Sequence, residues 1–263
     1  MNPSRHDDKA NKAAGAGEAL RAELLETLRA MNASGLNVGT AGNASVRLSD
    51  PDHPVSAGPF VSADDRGSSP PAFPAGTSDV PSRASAALLI TPSGVPAERC
   101  RAQDLAIVDA DGRPHGPLAP SSEWQLHRDI YAAYPAAGAV LHAHSPFATA
   151  LACQRIGIPP FHYMIARFGG ATIRCARYAT FGTQALSDAA VDALRARNAC
   201  LLANHGMVVF GRDLVHALAL AVELETLCAQ YWHTLQIGEP VLLSDEEMAE
   251  VIERFRWYGK PRT

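Results

Sequence analysis

The sequence predicts a single α/β domain built in layers, and three observations carry that expectation. Segments of helical period alternate along the chain with short apolar runs of strand length, the pattern of a layered α/β architecture. The strand-like runs end in Gly, Pro, Asn or Asp, residues that favour turns. The chain has 263 residues, 47% of them hydrophobic and 19% charged, enough apolar material for a substantial core.

Taken in order, residues 1 to about 17 are small, polar and charged, and read as a flexible tail ahead of a domain spanning 18–263. Leu20, Leu24, Leu25, Leu28 and Met31 repeat with helical spacing, and Ser34-Gly35 supplies the stop. "NVGTAGNASVRL" reads as a Gly-rich loop entering a strand. Residues from about 50 to 85 are rich in Pro, Ser, Ala, Gly and Asp without a sustained period, which marks an exposed insertion within the domain. "AALLITPSG" is a buried strand closing in a turn, and "LAIVDADGRPHG" a strand turning at Asp111-Gly112. "PSSEWQLHRDIYAAYP" reads as a helix, with Ser122 as cap and Gln125 completing a capping box. "AAGAVLHAH" is a strand, and Pro146 opens the helix "SPFATALACQ". "RNACLLANHGMVVFG" reads as two strands hinged at Asn204-His205-Gly206. Helices from Asp213 to about Leu235 and from Asp245 to Phe255 close the chain.

The bulk numbers narrow the function classes. A net charge of −4 argues against a broad nucleic-acid-binding surface, which is usually strongly basic. Five cysteines, at 100, 153, 175, 200 and 228, include no CxxC pair and fit reduced thiols better than a disulfide framework. The N-terminus lacks the apolar core of a signal peptide, and no apolar run reaches the ~18 residues of a membrane span. A cytoplasmic protein with neither a membrane nor a nucleic-acid partner is expected.

Two histidines, His142 and His144, stand one residue apart at a strand end. In a strand, residues i and i+2 share a face, so both imidazoles can reach one ion. An isolated pair of this kind is more often two hydrogen-bonded histidines than a metal site. His205, in a Gly-flanked turn after CLLA, adds a third neutral nitrogen donor, and three such donors suit zinc or a similar divalent ion. Glu123 is the carboxylate to set beside them, although an acidic residue in a first helical turn is also favoured by the helix dipole alone. The remaining histidines, 127 and 162 among them, have no comparable setting, with a partial exception for His162.

Three loops of small residues could receive an anion: "GTAGN" (39–43), "TPSG" (91–94) and "PSS" (120–122). Glycine permits close backbone approach, hydroxyls add donors, and a helix N-terminus at Ser121-Ser122 adds a favourable dipole. Each loop alone is a weak signal, since Gly/Ser loops are usually just turns. None matches a P-loop or a GxGxxG fingerprint, so nucleotide binding is not supported.

Together, "GLNVGTAGNASVR", "LLITPSGVP", "PSSEWQLHRDIYAAYP", "VLHAHSPFATALA", "HYMIARFGG", "YATFGT" and "LLANHGMVVFG" resemble the class II aldolase/adducin family, most closely its L-fuculose-phosphate aldolase branch. The likeness covers about residues 18–50 and 86–259. It implies a three-layer α/β/α domain with a central, mainly antiparallel sheet, assembled as a homotetramer with active sites between subunits. It also implies Zn2+, or another divalent ion such as Mn2+ or Co2+, on His142, His144 and His205, with Glu123 as ligand and acid/base. The phosphate would sit on Gly42, Asn43, Ser93, Gly94, Ser121 and Ser122. Phe181 and Tyr163 would line the aldehyde side, and Tyr258 would close over it from the C-terminal tail. Tyr258 or Tyr163 would handle the proton on the aldehyde oxygen.

The implied reaction is cleavage of a small ketose 1-phosphate, L-fuculose 1-phosphate or similar, to dihydroxyacetone phosphate and an aldehyde through a metal-stabilised enediolate. Epimerase relatives usually carry Asp at the Glu123 position, so "SSEW" favours carbon–carbon cleavage. Decarboxylase or dehydratase relatives retain the histidines and a glutamate and stand as the alternative. A non-catalytic adducin-like interaction module would be marked by loss of the histidines or the glutamate, and all four are present. The chain departs from the branch in the 50–85 insertion, in Ser93 where Thr is frequent, and in Ala143 between the histidines.

Overall fold

The computed structural model describes residues 4–48 and 86–257. The insertion read at about 50–85 and Tyr258 lie outside the described residues. Helix α1 (Ser4–Ala33) leads through a Gly-rich loop into β1 (Asn43–Arg47). Strands β2 (Leu88–Ile90), β3 (Ala106–Val108) and β4 (Pro114–His115) follow, then α2 (Trp124–Ala133), β5 (Ala139–Ala143) and α3 (Pro146–Cys153). A 3-10 stretch at Tyr163–Phe168 precedes β6 (Arg174–Ala176) and α4 (Gln184–Ala193). Strands β7 (Ala199–Leu202) and β8 (Gly206–Gly211) and helices α5 (Leu214–Ile237) and α6 (Asp245–Trp257) complete the order.

The eight strands form one sheet in the order β4-β3-β2-β1-β5-β8-β7-β6. Every neighbouring pair is antiparallel except β6 with β7. Side chains alternate across the sheet, and both faces are covered. Ala139, Leu141 and Ala143 of β5 join the core shared with α1, α3 and α5, whereas Val140 joins the core under α2 and α4. The expected three-layer domain with a mainly antiparallel sheet is therefore the observed one.

Two local expectations are corrected, and two elements are added. Most of the expected N-terminal tail is helix, because α1 begins at Ser4. The stretch from Lys9 to Leu20 is rich in Ala, the strongest helix former, despite two glycines. Ser122 does not cap α2: Glu123 holds the N-cap position and makes no side-chain cap bond. Instead the first turn closes through backbone bonds, Trp124 N–H to Ser121 O (3.1 Å) and Leu126 N–H to Glu123 O (3.0 Å). That leaves the Glu123 carboxylate free to turn toward the sheet. Helix α4 and strand β6, which carry no long apolar period of their own, were not anticipated; packing against α2 and β7 makes them regular.

The topology brings one end of many strands together. β1 and β8 begin at this end, and β2, β5, β6 and β7 finish there, so the connecting loops gather at a single rim. Just past it, α3 is anchored by Glu225 of α5, which accepts from Ser145 Oγ (2.6 Å) and from the backbone N–H groups of Phe147 and Ala148 (both 2.8 Å). A carboxylate at a helix N-terminus satisfies amides that the helix cannot.

Candidate active site

His142 sits on β5, paired across to Asn43 of β1 and Val208 of β8. His144 lies one residue beyond the strand, where its backbone N–H donates to Asn37 Oδ1 (3.1 Å). His205 occupies the tight turn between β7 and β8, after Asn204 in a left-handed conformation (φ 54°). Close approach of the two strand ends depends on Gly206: a Cβ there would lie 2.3 Å from the carbonyl oxygen of Ala143. The three rings come together with centroids 4.7–4.9 Å apart.

The polar atoms converge further. Nε2 of His142 and Nε2 of His144 are 2.9 Å apart. Glu123 Oε2 lies 3.1 Å from His142 Nε2, and Glu123 Oε1 lies 3.4 Å from His205 Nε2. His142 uses Nδ1–H to donate to the carbonyl of Met207 (2.9 Å), which leaves the Nε2 lone pair directed at the cluster. Burial pushes the His142 pKa down to about 3 and that of His205 down to about 4, with neighbouring histidines adding to the effect. Burial lowers that of His144 as well, against the Glu123 charge, which raises it. Burial thus favours the neutral form of all three imidazoles.

Three nitrogen donors lie within 4.8 Å of one another, the spread of ligands around one centre. Glu123 is 6% exposed, and its Oε1 is buried without a hydrogen-bond donor. Neutral imidazole lone pairs and an unpartnered buried carboxylate oxygen converging on one point call for a cation, and the residues fit one.

The cluster opens into a cavity of about 370 Å3. All three expected anion loops line it, through Gly42 and Asn43, Ser93 and Gly94, and Ser121 and Ser122. Backbone bonds stitch them together. Thr91 N–H donates to Ala44 O (3.1 Å), Ser93 N–H to Ala119 O (3.0 Å) and Ser121 N–H to Thr91 O (3.0 Å). Ser93 and Ser121 thus spend their amides on the scaffold, and the Ser121 hydroxyl accepts from the Glu123 N–H (3.3 Å). Gly42 is at φ 72°, and a Cβ there would fall 2.3 Å from Asn37 Oδ1, the atom that holds His144. One bulky residue would disturb both the loop and a histidine.

Phe181 lines the same cavity, as do Tyr178 and Asn204, which the sequence reading did not single out. Tyr178 was within reach of that reading, since it opens the quoted "YATFGT". Tyr163 is not among the lining residues; it is half exposed and stacks on Phe255 of α6 (ring centroids 6.5 Å apart). His127, set aside as having no comparable setting, is fully buried and hydrogen-bonded to Asn43 and Ser45. Its spacing of four from Glu123 on α2 was the available signal, since such residues share a helix face.

Comparison with known proteins agrees with this geometry. Residues 22–232 match the family model described as Class II Aldolase and Adducin N-terminal domain. The chain is 45% identical over 241 residues to a 5-methylthioribulose-1-phosphate/5-deoxyribulose-1-phosphate aldolase of Rhodospirillum rubrum, covering 92% of this chain and 93% of that one. It is 38% identical over 241 residues to the L-fuculose phosphate aldolase of Escherichia coli, covering 91% of this chain and 95% of the relative. A solved L-fuculose 1-phosphate aldolase superposes with a TM-score of 0.74 at 32% identity, over 90% of this chain and 96% of that one. With a three-histidine cluster, a buried glutamate and three hydroxyl-bearing loops at one sheet end, the chain belongs to the class II aldolase and adducin family, as one of its sugar-phosphate aldolases.

Proposed function

We propose that the protein cleaves a small ketose 1-phosphate to dihydroxyacetone phosphate and an aldehyde, with Zn2+ as the divalent ion on His142, His144 and His205. The observation that carries this reading is Glu123: a buried carboxylate with one unpartnered oxygen, beside three converging imidazoles and open to the hydroxyl-lined cavity. Held by His142, His144 and His205, such an ion would supply Lewis-acid polarisation of the ketose carbonyl and offset the negative charge that develops as the bond breaks.

The chain's own groups do the rest. The hydroxyls of Ser93, Ser121 and Ser122, with the close backbone approach allowed at Gly42 and Gly94, hold the phosphate. Asn43 lines the same cavity, and its side-chain amide donates to Glu123. In cleavage the proton of the C4 hydroxyl passes through a tyrosine, Tyr163 or Tyr258, to solvent, the C3–C4 electron pair moves onto C3, the aldehyde leaves, and Glu123 takes up a proton from solvent. Glu123 delivers the proton that C3 then needs, and the same group removes it in the condensation direction.

Phe181, Tyr178 and Ala179 add aromatic and apolar groups to the lining of the cavity. This favours a ketose ending in a methyl or methylthio group, a feature shared by the substrates for which the two relatives are named. In a homotetramer, Tyr163 and Tyr258 of one subunit would reach the aldehyde side of its neighbour; the half-exposed Tyr163, outside its own chain's cavity, supports that arrangement.

The test is a coupled assay for dihydroxyacetone phosphate with L-fuculose 1-phosphate, 5-deoxyribulose 1-phosphate and 5-methylthioribulose 1-phosphate. Release from at least one of them is expected. Release from none, with carbon dioxide lost from a 3-oxo acid phosphate instead, would favour the decarboxylase alternative.

A further inference from the structure

Beneath the cavity runs an unbroken line of buried polar contacts that ends on Glu123. Asn43 Nδ2 donates to Glu123 Oε2 (2.9 Å), and Asn43 Oδ1 meets His127 Nε2 (2.5 Å). His127 Nδ1 meets Ser45 Oγ (2.7 Å), which in turn meets the Tyr131 hydroxyl (2.8 Å). Asn43 is 4% exposed, Tyr131 1%, and Ser45 and His127 are fully buried. A core of this kind holds polar groups only where each has a partner.

The direction of every bond in the line follows from its end. Asn43 presents its N–H to the Glu123 oxygen, so its carbonyl is the group that faces His127. His127 must then carry its proton on Nε2 and accept on Nδ1. Ser45 donates to Nδ1, and the Tyr131 hydroxyl can donate to Ser45. Burial holds His127 neutral, with its pKa pushed down to about 3, and a neutral ring has just one donor and one acceptor nitrogen. Were the amide of Asn43 to flip, its carbonyl would face the carboxylate and its NH2 group would face the His127 N–H. Both contacts would then be repulsive.

We infer that His127 is a positioning residue for the reaction: its Nε2–H fixes the amide of Asn43, and the amide holds Glu123 with Oε1 aimed at the reacting centre. His127 is not among the residues lining the cavity, so it acts through Asn43 alone. This rests on the acid/base role proposed above for Glu123, but the predicted tautomer does not depend on any activity.

Two measurements test it. In protein labelled with 15N-histidine, NMR reads directly which ring nitrogen of His127 is protonated. Nε2–H is expected, and Nδ1–H would overturn the inference whatever the protein cleaves. In the aldolase assay, H127L removes the donor and H127Q retains one near the Nε2 position. H127L should lower kcat about tenfold or more with KM changed less than about twofold, because it removes the bond that fixes the amide holding the acid/base. H127Q should recover most of that loss. Equal kcat for H127L and the native protein, or equal damage in H127L and H127Q, would contradict the positioning role. Failure of the native protein to cleave any ketose 1-phosphate would instead count against the proposed function, with the NMR result still deciding the tautomer.

Discussion

Glu123 Oε2 lies 3.1 Å from Nε2 of His142, so the one carboxylate that lines the cavity among the described residues is placed against a metal-ligand candidate and is not spent as a helix cap. A Glu123→Gln substitution keeps the volume and removes the proton-carrying oxygen. Cleavage should fall about 100- to 10,000-fold, the usual range for loss of a positioned acid/base. Metal content measured on the same sample should stay near that of the native protein, since the three imidazoles are untouched. Unchanged cleavage would show that another group handles the C3 proton.

Gly206 is where β8 passes against the end of β5. A methyl group at this position would sit 2.3 Å from the Ala143 carbonyl oxygen, backbone that cannot swing aside. G206A should cost about 1–3 kcal/mol of stability, the range for overpacking. It should also weaken metal binding, because the shift separates His205 from His142 and His144. Urea unfolding and a metal titration check the two effects together.

His127 makes stability depend on pH in a defined direction. Its pKa is pushed down to about 3 in the fold, against about 6.5 in an unfolded chain. As pH falls below ~6.5, protons bind the unfolded chain first, so stability present above that value is lost progressively down to about pH 3. At pH 5 the loss from this one residue is roughly 2 kcal/mol. Thermal unfolding across pH 5–7.5 should show a flatter profile for H127Q than for the native protein, and parallel profiles would refute the assignment.

Much of this site was legible in the sequence because it is written locally. His142 and His144 share a short strand end, His205 sits in its own glycine turn, and the Ser/Gly loops announce themselves by composition. What escaped was set by tertiary packing. His127 looks like one more polar residue on a helix until α2 is laid against β1, which puts its ring between Asn43 and Ser45. Ser122 looks like a cap until Glu123 takes the N-cap position and turns its carboxylate inward. Strand β6 is three residues long and gains its identity from parallel pairing with β7, which no local period reveals.

The central claim is that cleavage depends on a divalent ion held by His142, His144 and His205. The most direct measurement pairs elemental analysis with the dihydroxyacetone phosphate assay, before and after exhaustive chelation. The account predicts about one divalent ion per chain, loss of cleavage when it is stripped, and recovery when Zn2+ is returned. Full activity in protein shown to be metal-free would contradict it.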